Sequence, residues 1–328
     1  MFARFKKLKD VWEMSKRVSL KLDRVNNVGS LRETVSVASD YLISWAKYGL
    51  ALDQYEEFEL YKANNREKRN VLSARTFVKF EQKVNQKEYW KYFENKALFN
   101  ETFKDFVNRN WLYISKSGGV EQLAAFCRKH DRAIVKPVAE MQGKGISVID
   151  LPKTDAEITK LYNELSASPK GVIIEELLEG MPEMRFGRKS LNTLRMYTFD
   201  GKLIKCVLRI GGVDQVVDNY HHGGYIFPVD RKYGIIETSG RTKLSTDPVL
   251  YLQPDNIKML GYEIPKFKEA VRLVEEAAKV IPQVRYVGWD VAFTTKGLEL
   301  IEGNNHAYVN FLMLGHEKNF YDLLKAQV

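Results

Sequence analysis

Cysteine is scarce in this 328-residue chain: Cys127 and Cys206 are the only two. That excludes a disulfide framework and a cysteine-rich zinc site. Long apolar runs are missing as well. No stretch reaches the ~18 residues that cross a bilayer, and even VIIEELLEG at 172–180 is broken by carboxylates. The first residues, MFARFKKLKD, scatter charge where a signal peptide needs an apolar stretch. Repeats and low-complexity linkers are absent. The composition, 45% hydrophobic and 28% charged, excludes wholesale disorder. At twice the ~150 residues of an ordinary domain, the chain is expected to form one or two packed units in the cytoplasm.

Charge is present in excess, with 51 Lys+Arg against 42 Asp+Glu and a formal net charge of +9. Much of it lies at the start. Residues 1–24 carry Arg4, Lys6, Lys7, Lys9, Lys16, Arg17, Lys21 and Arg24 against Asp10, Glu13 and Asp23. Phe2, Phe5, Leu8, Trp12 and Met14 fall among them at roughly helical intervals. This is the pattern of a basic amphipathic helix able to lie on an anionic membrane surface. The plainer alternative is a helix packed on its own domain with a solvated basic face. Nucleic acid is not an expected partner, because the chain's aromatics read as core rather than as a stacking platform.

Residues 31–110 contain no proline and one glycine, Gly49. Aromatics recur there at three- and four-residue steps: Tyr41, Trp45, Tyr48, Tyr89, Trp90, Phe93, Phe103 and Phe106. Several short-linked helices with a buried aromatic face are expected. Near 111 the texture turns to short β-rich runs at 111–115, 132–138, 146–151 and 171–178, with helical segments at 120–130 and 155–168 between them. Segment 193–211 reads as a hairpin turning at Asp200-Gly201. A helix follows over 265–281, then two strands joined by a Thr-Lys-Gly turn at 295–297. The second half is α+β, with antiparallel pairs covered by helices.

Three segments carry candidate chemistry. In VKPVAEMQGKGI (135–146) a strand delivers Lys136, and a loop with Gly143, Lys144 and Gly145 follows. Glycines let backbone N–H groups approach phosphate oxygens, and lysines add point charge. It is not a P-loop, since no Gly-Lys-Ser/Thr opens a helix. In GWDVAFTTKGLELIEGNNH, Glu302 and Asn304 sit two apart on one strand and face the same side, and the hairpin brings Asp290 alongside. Two carboxylates and an amide oxygen form the hard donor set suited to Mg²⁺. The third segment, VIIEELLEGMPE (172–183), is either a core strand or a strip of backbone able to hold a planar heterocycle, with a carboxylate near a ribose.

Taken in order, ENKALFN with Lys96, IVKP with Lys136, MQGKG, IIEELLEG, GWDVAF and LIEGNN resemble the ATP-grasp superfamily. The likeness is closest to the sugar-transfer-associated ATP-grasp proteins of polysaccharide biosynthesis, whose pattern SLNTLRMYTFDGK (190–202), LRIGGVDQVVDNYHHGGYIFPVD (208–230) and IPQVRYVGWDVA (281–292) echo. The resemblance implies an ATP-grasp fold: two α+β subdomains holding ATP between them at 96–328, after a mainly helical region at 1–95. It implies that Lys96 and Lys136 contact ATP phosphates and that Glu176 and Leu178 form the adenine hinge. Glu183 is then the ribose partner, and Asp290, Glu302 and Asn304 bind Mg²⁺. Arg195 and Arg209 match basic positions expected near the transferred phosphate or the acyl phosphate. Among unassigned polar residues, Asn219, His221 and His222 beside Gly223-Gly224 are candidates for substrate contact or catalysis.

The implied activity is a carboxylate–amine ligase working through an acyl phosphate on small-molecule, sugar-linked substrates. An amino-acid or peptide ligase without a sugar, and a nucleotide-binding scaffold without turnover, are the alternatives.

Overall fold

The computed structural model describes residues 2–22, 30–139, 145–213, 220, 223–243 and 245–315, and the side chains of 2–6, 245 and 246 are outside that description. The loop calls at Gly143, Lys144, Asn219, His221 and His222 fall outside it as well. The chain divides into two compact units, residues 1–83 with 308–328, and residues 84–307.

The first unit is helical, and its pattern explains why. Helix α1 (Phe2–Leu22) and helix α2 (Leu31–Tyr48) pack together. Ser30 caps α2 through a reciprocal bond with Glu33, satisfying two end groups, and Gly49 (φ 74°) ends the helix in the left-handed region that suits glycine. Val11, Met14 and Val18 of α1 join Val37, Tyr41, Leu50, Tyr55 and Leu60 in one cluster. The face that residues 11–18 spend on this cluster is therefore not free. Trp45 departs from the expected aromatic core: it is 53% exposed, with Arg75 stacked on its ring.

The second unit contains two larger antiparallel sheets. The smaller sheet runs β1 (Trp111–Ile114), β2 (Arg132–Pro137), β3 (Ser147–Asp150) and β4 (Val172–Glu176), in the spatial order β1-β4-β2-β3. Helices Val120–Lys129 and Asp155–Ser166 supply the side chains that cover it, with Leu123, Phe126, Cys127 and Ile158 meeting Ala133, Val135 and Ile174.

The larger sheet is built from β5 (Thr193–Phe199), β6 (Lys202–Ile210), β7 (Tyr225–Val229), β8 (Gly240–Thr242) and β9 (Ser245–Val249). A small ribbon, β10 (Tyr251–Leu252) and β11 (Ile257–Lys258), precedes β12 (Tyr286–Thr294) and β13 (Gly297–Asn304). The spatial order is β13-β12-β5-β6-β7-β8-β9.

The β5–β6 turn falls at Asp200-Gly201 with φ of 51° and 72°, the doubly left-handed geometry that an Asp-Gly pair favours. Side chains alternate along these strands. Leu194, Met196, Leu208, Ile210, Val287 and Trp289 bury one face with helix Phe267–Ala277. The alternate residues, Arg195, Arg209 and Asp290, turn to the other face. That alternation separates core from site.

Candidate active site

Asp290 is the centre of the larger sheet's polar face. In register it lies opposite Arg195 of β5 on one side and opposite Glu302 of β13 on the other. Arg195 grips both carboxylate oxygens, Nε on Oδ1 and Nη2 on Oδ2 at 2.8 Å, while Arg209 Nη1 reaches Oδ2 at 2.7 Å. Asp290 is 4% exposed. Burial alone would favour its neutral form, but the two arginines outweigh that and hold the carboxyl far below the usual range. Arg195 is buried too, and Asp290 keeps its guanidinium charged against that burial.

Room for this pair comes from Gly288. A Cβ there would stand 3.2 Å from Arg195 Cδ and 2.5 Å from Ala307 Cβ. Beyond Asp290 the β12–β13 pairing slips by one residue: Val291 faces Leu300, which leaves Ile301 as a bulge. Such a bulge re-aims side chains. On the site side of it, Glu302 and Asn304 are joined by a 3.1 Å bond from Asn304 Nδ2 to Glu302 Oε1. Asn304 Oδ1 accepts no bond among the described residues. Two carboxylates and this amide oxygen fit a hard divalent ion such as Mg²⁺, once the arginines yield part of Asp290.

A second charged centre lies on the smaller sheet. Lys136 Nζ stands 2.5 Å from Glu175 Oε2, and Glu175 Oε1 also takes Arg109 Nη2 at 2.9 Å and Asn100 Nδ2 at 3.0 Å. Burial opposes the charge on Glu175, yet Arg109 and Lys136 press its carboxyl down to about 2. Arg109 extends the network to Glu299 of β13 at 2.8 Å. Lys96 opens helix Lys96–Thr102, whose first N–H bonds the Val138 carbonyl at 3.2 Å, just past the strand end that carries Lys136. Both lysines expected at phosphates thus belong to one region. Gly145 has φ 71°, and a Cβ there would meet Pro137 Cγ at 2.8 Å, so this loop position requires glycine twice over.

Glu176 closes β4. Its carboxylate takes Lys296 Nζ at 2.7 Å and Asn110 Nδ2, and its N–H bonds the Asn110 carbonyl at 2.9 Å. Burial pushes against its charge, and Lys296 and Asn110 overcome it, so the carboxyl stays below the ordinary range. Beyond the strand end, no described residue is hydrogen-bonded to the backbone of Leu177 or Leu178. This free edge is what a planar base needs. Glu183 lies farther on, exposed in the short turn Pro182–Met184, and its carbonyl accepts Tyr262 Oη at 2.6 Å.

The structure brings Arg195, Arg209, Asp290, Glu302 and Asn304 together, and it sets Lys96 and Lys136 in a second group. Sequence reasoning missed Glu175, Arg109, Glu299 and Lys296. One signal was available: a carboxylate inside the apolar strand VIIEE has to find a buried partner.

The second unit thus sets Lys136 on the smaller sheet, Lys96 on the helix that starts beside it, and the arginine–carboxylate face on the larger sheet. The chain matches the model of the family described as sugar-transfer associated ATP-grasp over residues 75–326, and it belongs to that family. No curated protein matches it. Among solved structures it is similar to the ATP-grasp ligase PsnB in complex with its minimal precursor, at 19% identity and TM-score 0.46 over 75% of this chain and 64% of PsnB. PsnB is also known with Mg and ADP. The D-cycloserine synthetase DcsG is similar at 11% identity and TM-score 0.46, covering 75% of this chain and 74% of DcsG. The D-alanine–D-alanine ligase of Bacillus anthracis is 12% identical, with TM-score 0.38, over 65% of this chain and 56% of the ligase.

Proposed function

We propose that the chain is an ATP- and Mg²⁺-dependent carboxylate–amine ligase that activates its carboxylate substrate as an acyl phosphate. The observation that carries this reading is the convergence of Arg195, Arg209, Asp290, Glu302 and Asn304 on one sheet face. Phosphoryl transfer asks a protein for positioning and charge neutralisation rather than covalent chemistry. Mg²⁺, when bound, supplies Lewis acidity and neutralises phosphate charge.

The chain's own residues do the rest. Lys96 and Lys136 attract phosphate oxygens, the free Leu177–Leu178 edge and Glu176 receive adenine, and Glu183 takes the ribose. Asp290, Glu302 and Asn304 hold the metal. Arg195 and Arg209 orient and neutralise the anionic oxygen at the reacting carbon. Gly143, Lys144, Asn219 and His222 complete the reading as phosphate and substrate contacts.

The catalytic region is 96–328. The substrate is a carboxylated sugar or precursor of a surface polysaccharide such as a capsule, joined to an amino acid or other amine; the family's description supports this half. No helix among the described residues is long and apolar enough to span a membrane. The reading places the enzyme in the cytoplasm, with the exposed Lys7, Lys9, Lys16 and Lys21 of α1 touching the anionic inner face of the membrane.

ADP release tests the ligase. A screen of amines against carboxylated sugars should find a pair that drives stoichiometric ADP and Mg²⁺-dependent condensation. ADP without condensation product for any pair sinks the proposal. Charge reversal of those four lysines should abolish binding to anionic vesicles, and wild type that ignores vesicles removes the membrane contact.

A further inference from the structure

Beside the bulge at Ile301, two successive carbonyls of β13 turn to one guanidinium. Arg109 Nη1 bonds the Leu300 carbonyl at 2.8 Å, and Arg109 Nη2 bonds the Ile301 carbonyl at 3.1 Å. Successive carbonyls of a regular strand point to opposite edges, so the bulge is what makes this double contact possible. Glu302 is the next residue, and its direction is set where the bulge is held.

The same guanidinium also reaches the smaller sheet. Nη2 stands 2.9 Å from Glu175 Oε1, while Glu175 Oε2 holds Lys136 Nζ at 2.5 Å. Asn100 joins in, its Oδ1 accepting from Nη2 and its Nδ2 donating to Glu175 Oε1. Glu299 aims Arg109 by accepting from Nη1 at 2.8 Å and from the backbone N–H groups of Asn108 and Arg109. Arg109, Glu175 and Glu299 are all buried, so solvent does not compete for these bonds.

We propose that Arg109 is the positioning residue of the nucleotide site, setting Lys136 through Glu175 and Glu302 through the bulge. The inference rests on the ligase reading above. Charge balance favours it: the carboxylates of Glu175 and Glu299 meet the cations of Arg109 and Lys136. When Lys136 turns to a phosphate, Arg109 stays on Glu175, and a buried carboxylate requires such a partner. A lysine does not substitute, because an ammonium is a point charge whereas the rigid guanidinium fork meets a carboxylate and two carbonyls at once.

Calorimetric titration of the full chain with adenosine, ATP and Mg-ATP tests this through two ratios. The affinity for ATP over adenosine reads the phosphate contacts, and that for Mg-ATP over ATP reads the metal contacts. A general loosening of the fold cancels in both. Arg109→Lys should lower each ratio about tenfold, the worth of one misplaced charged hydrogen bond, and leave adenosine affinity near that of wild type. Glu299→Gln keeps the side chain's shape but removes the charge that aims Arg109, so it should lower both ratios by a smaller factor. It decides the case if circular dichroism shows Arg109→Lys unfolded. Ratios that stay at wild-type values in a folded variant overturn the proposal. A fall in only one ratio does so too, since one guanidinium serves both contacts. Wild type that binds neither ATP nor Mg-ATP removes the ligase reading itself, and this proposal with it.

Discussion

Arg195 and Asp290 face each other across neighbouring strands, 95 residues apart in sequence, and the guanidinium holds both oxygens of the carboxylate. Arg209 adds a second cation to the same carboxylate. A charge this buried is stable only while it is paired. Asp290→Asn should therefore do two things at once: abolish ADP formation and destabilise the fold by about 3–5 kcal/mol, since the buried Arg195 and the half-buried Arg209 lose their counter-charge. Glu302→Gln separates the roles. Glu302 is less buried, bonded to Asn304 Nδ2 and also coupled to Asp290, so its loss should lower the unfolding temperature far less than Asp290→Asn does, while ADP formation falls at least a hundredfold. Wild-type turnover in that variant would remove the metal-site assignment.

Lys136 predicts a ligand effect rather than a catalytic one. Ligand at about a hundred times its dissociation constant adds roughly 2.7 kcal/mol of stability, a shift of a few degrees in a protein this size. Mg-ATP should raise the unfolding temperature of wild type by that amount, and Lys136→Ala should lose the shift. A retained shift would show that phosphate is held elsewhere.

Local pattern was enough for much of this site. The i, i+2 spacing of Glu302 and Asn304 placed both beside Asp290 without any structure, and Asp200-Gly201 announced its turn. What pairs across distance was not legible. Nothing in LRMYTF says that Arg195 is opposite Asp290, because the β5–β12 register depends on how far the intervening segments reach. Glu175 and Glu176 look alike in VIIEE. Only the packing of Arg109 and Lys136 shows that the first is locked in a buried network, while the second meets Lys296 at the strand end. Trp45 misled in the other direction, since its helical spacing is real but belongs to the exposed face of α2.

Gly145 offers a test of the loop that follows Lys136. Its φ of 71° costs an ordinary residue about 1–2 kcal/mol, and the added methyl would press on Pro137. Gly145→Ala should lower stability by about that amount and weaken Mg-ATP binding together. Unchanged binding in a measurably destabilised variant would separate the loop from the nucleotide.

The Glu175 network predicts a pH signature whose sign is fixed. Its carboxyl is depressed to about 2 in the folded protein, against about 4.3 in an unfolded chain. A depressed carboxyl adds stability that is fully present above the unfolded value and fades as pH falls toward the folded one. The total is of order 3 kcal/mol, at about 1.4 kcal/mol per unit. Urea unfolding of wild type and Glu175→Gln should therefore show a constant stability gap at pH 5 and above. Between about pH 4.5 and 3 the gap should shrink by roughly 1–2 kcal/mol. Carboxylates common to both proteins cancel in that difference, which leaves the one that Arg109 and Lys136 hold. Two parallel curves across this window would mean that Glu175 is not charged by those partners, and the buried link from Lys136 to Arg109 would have to be redrawn.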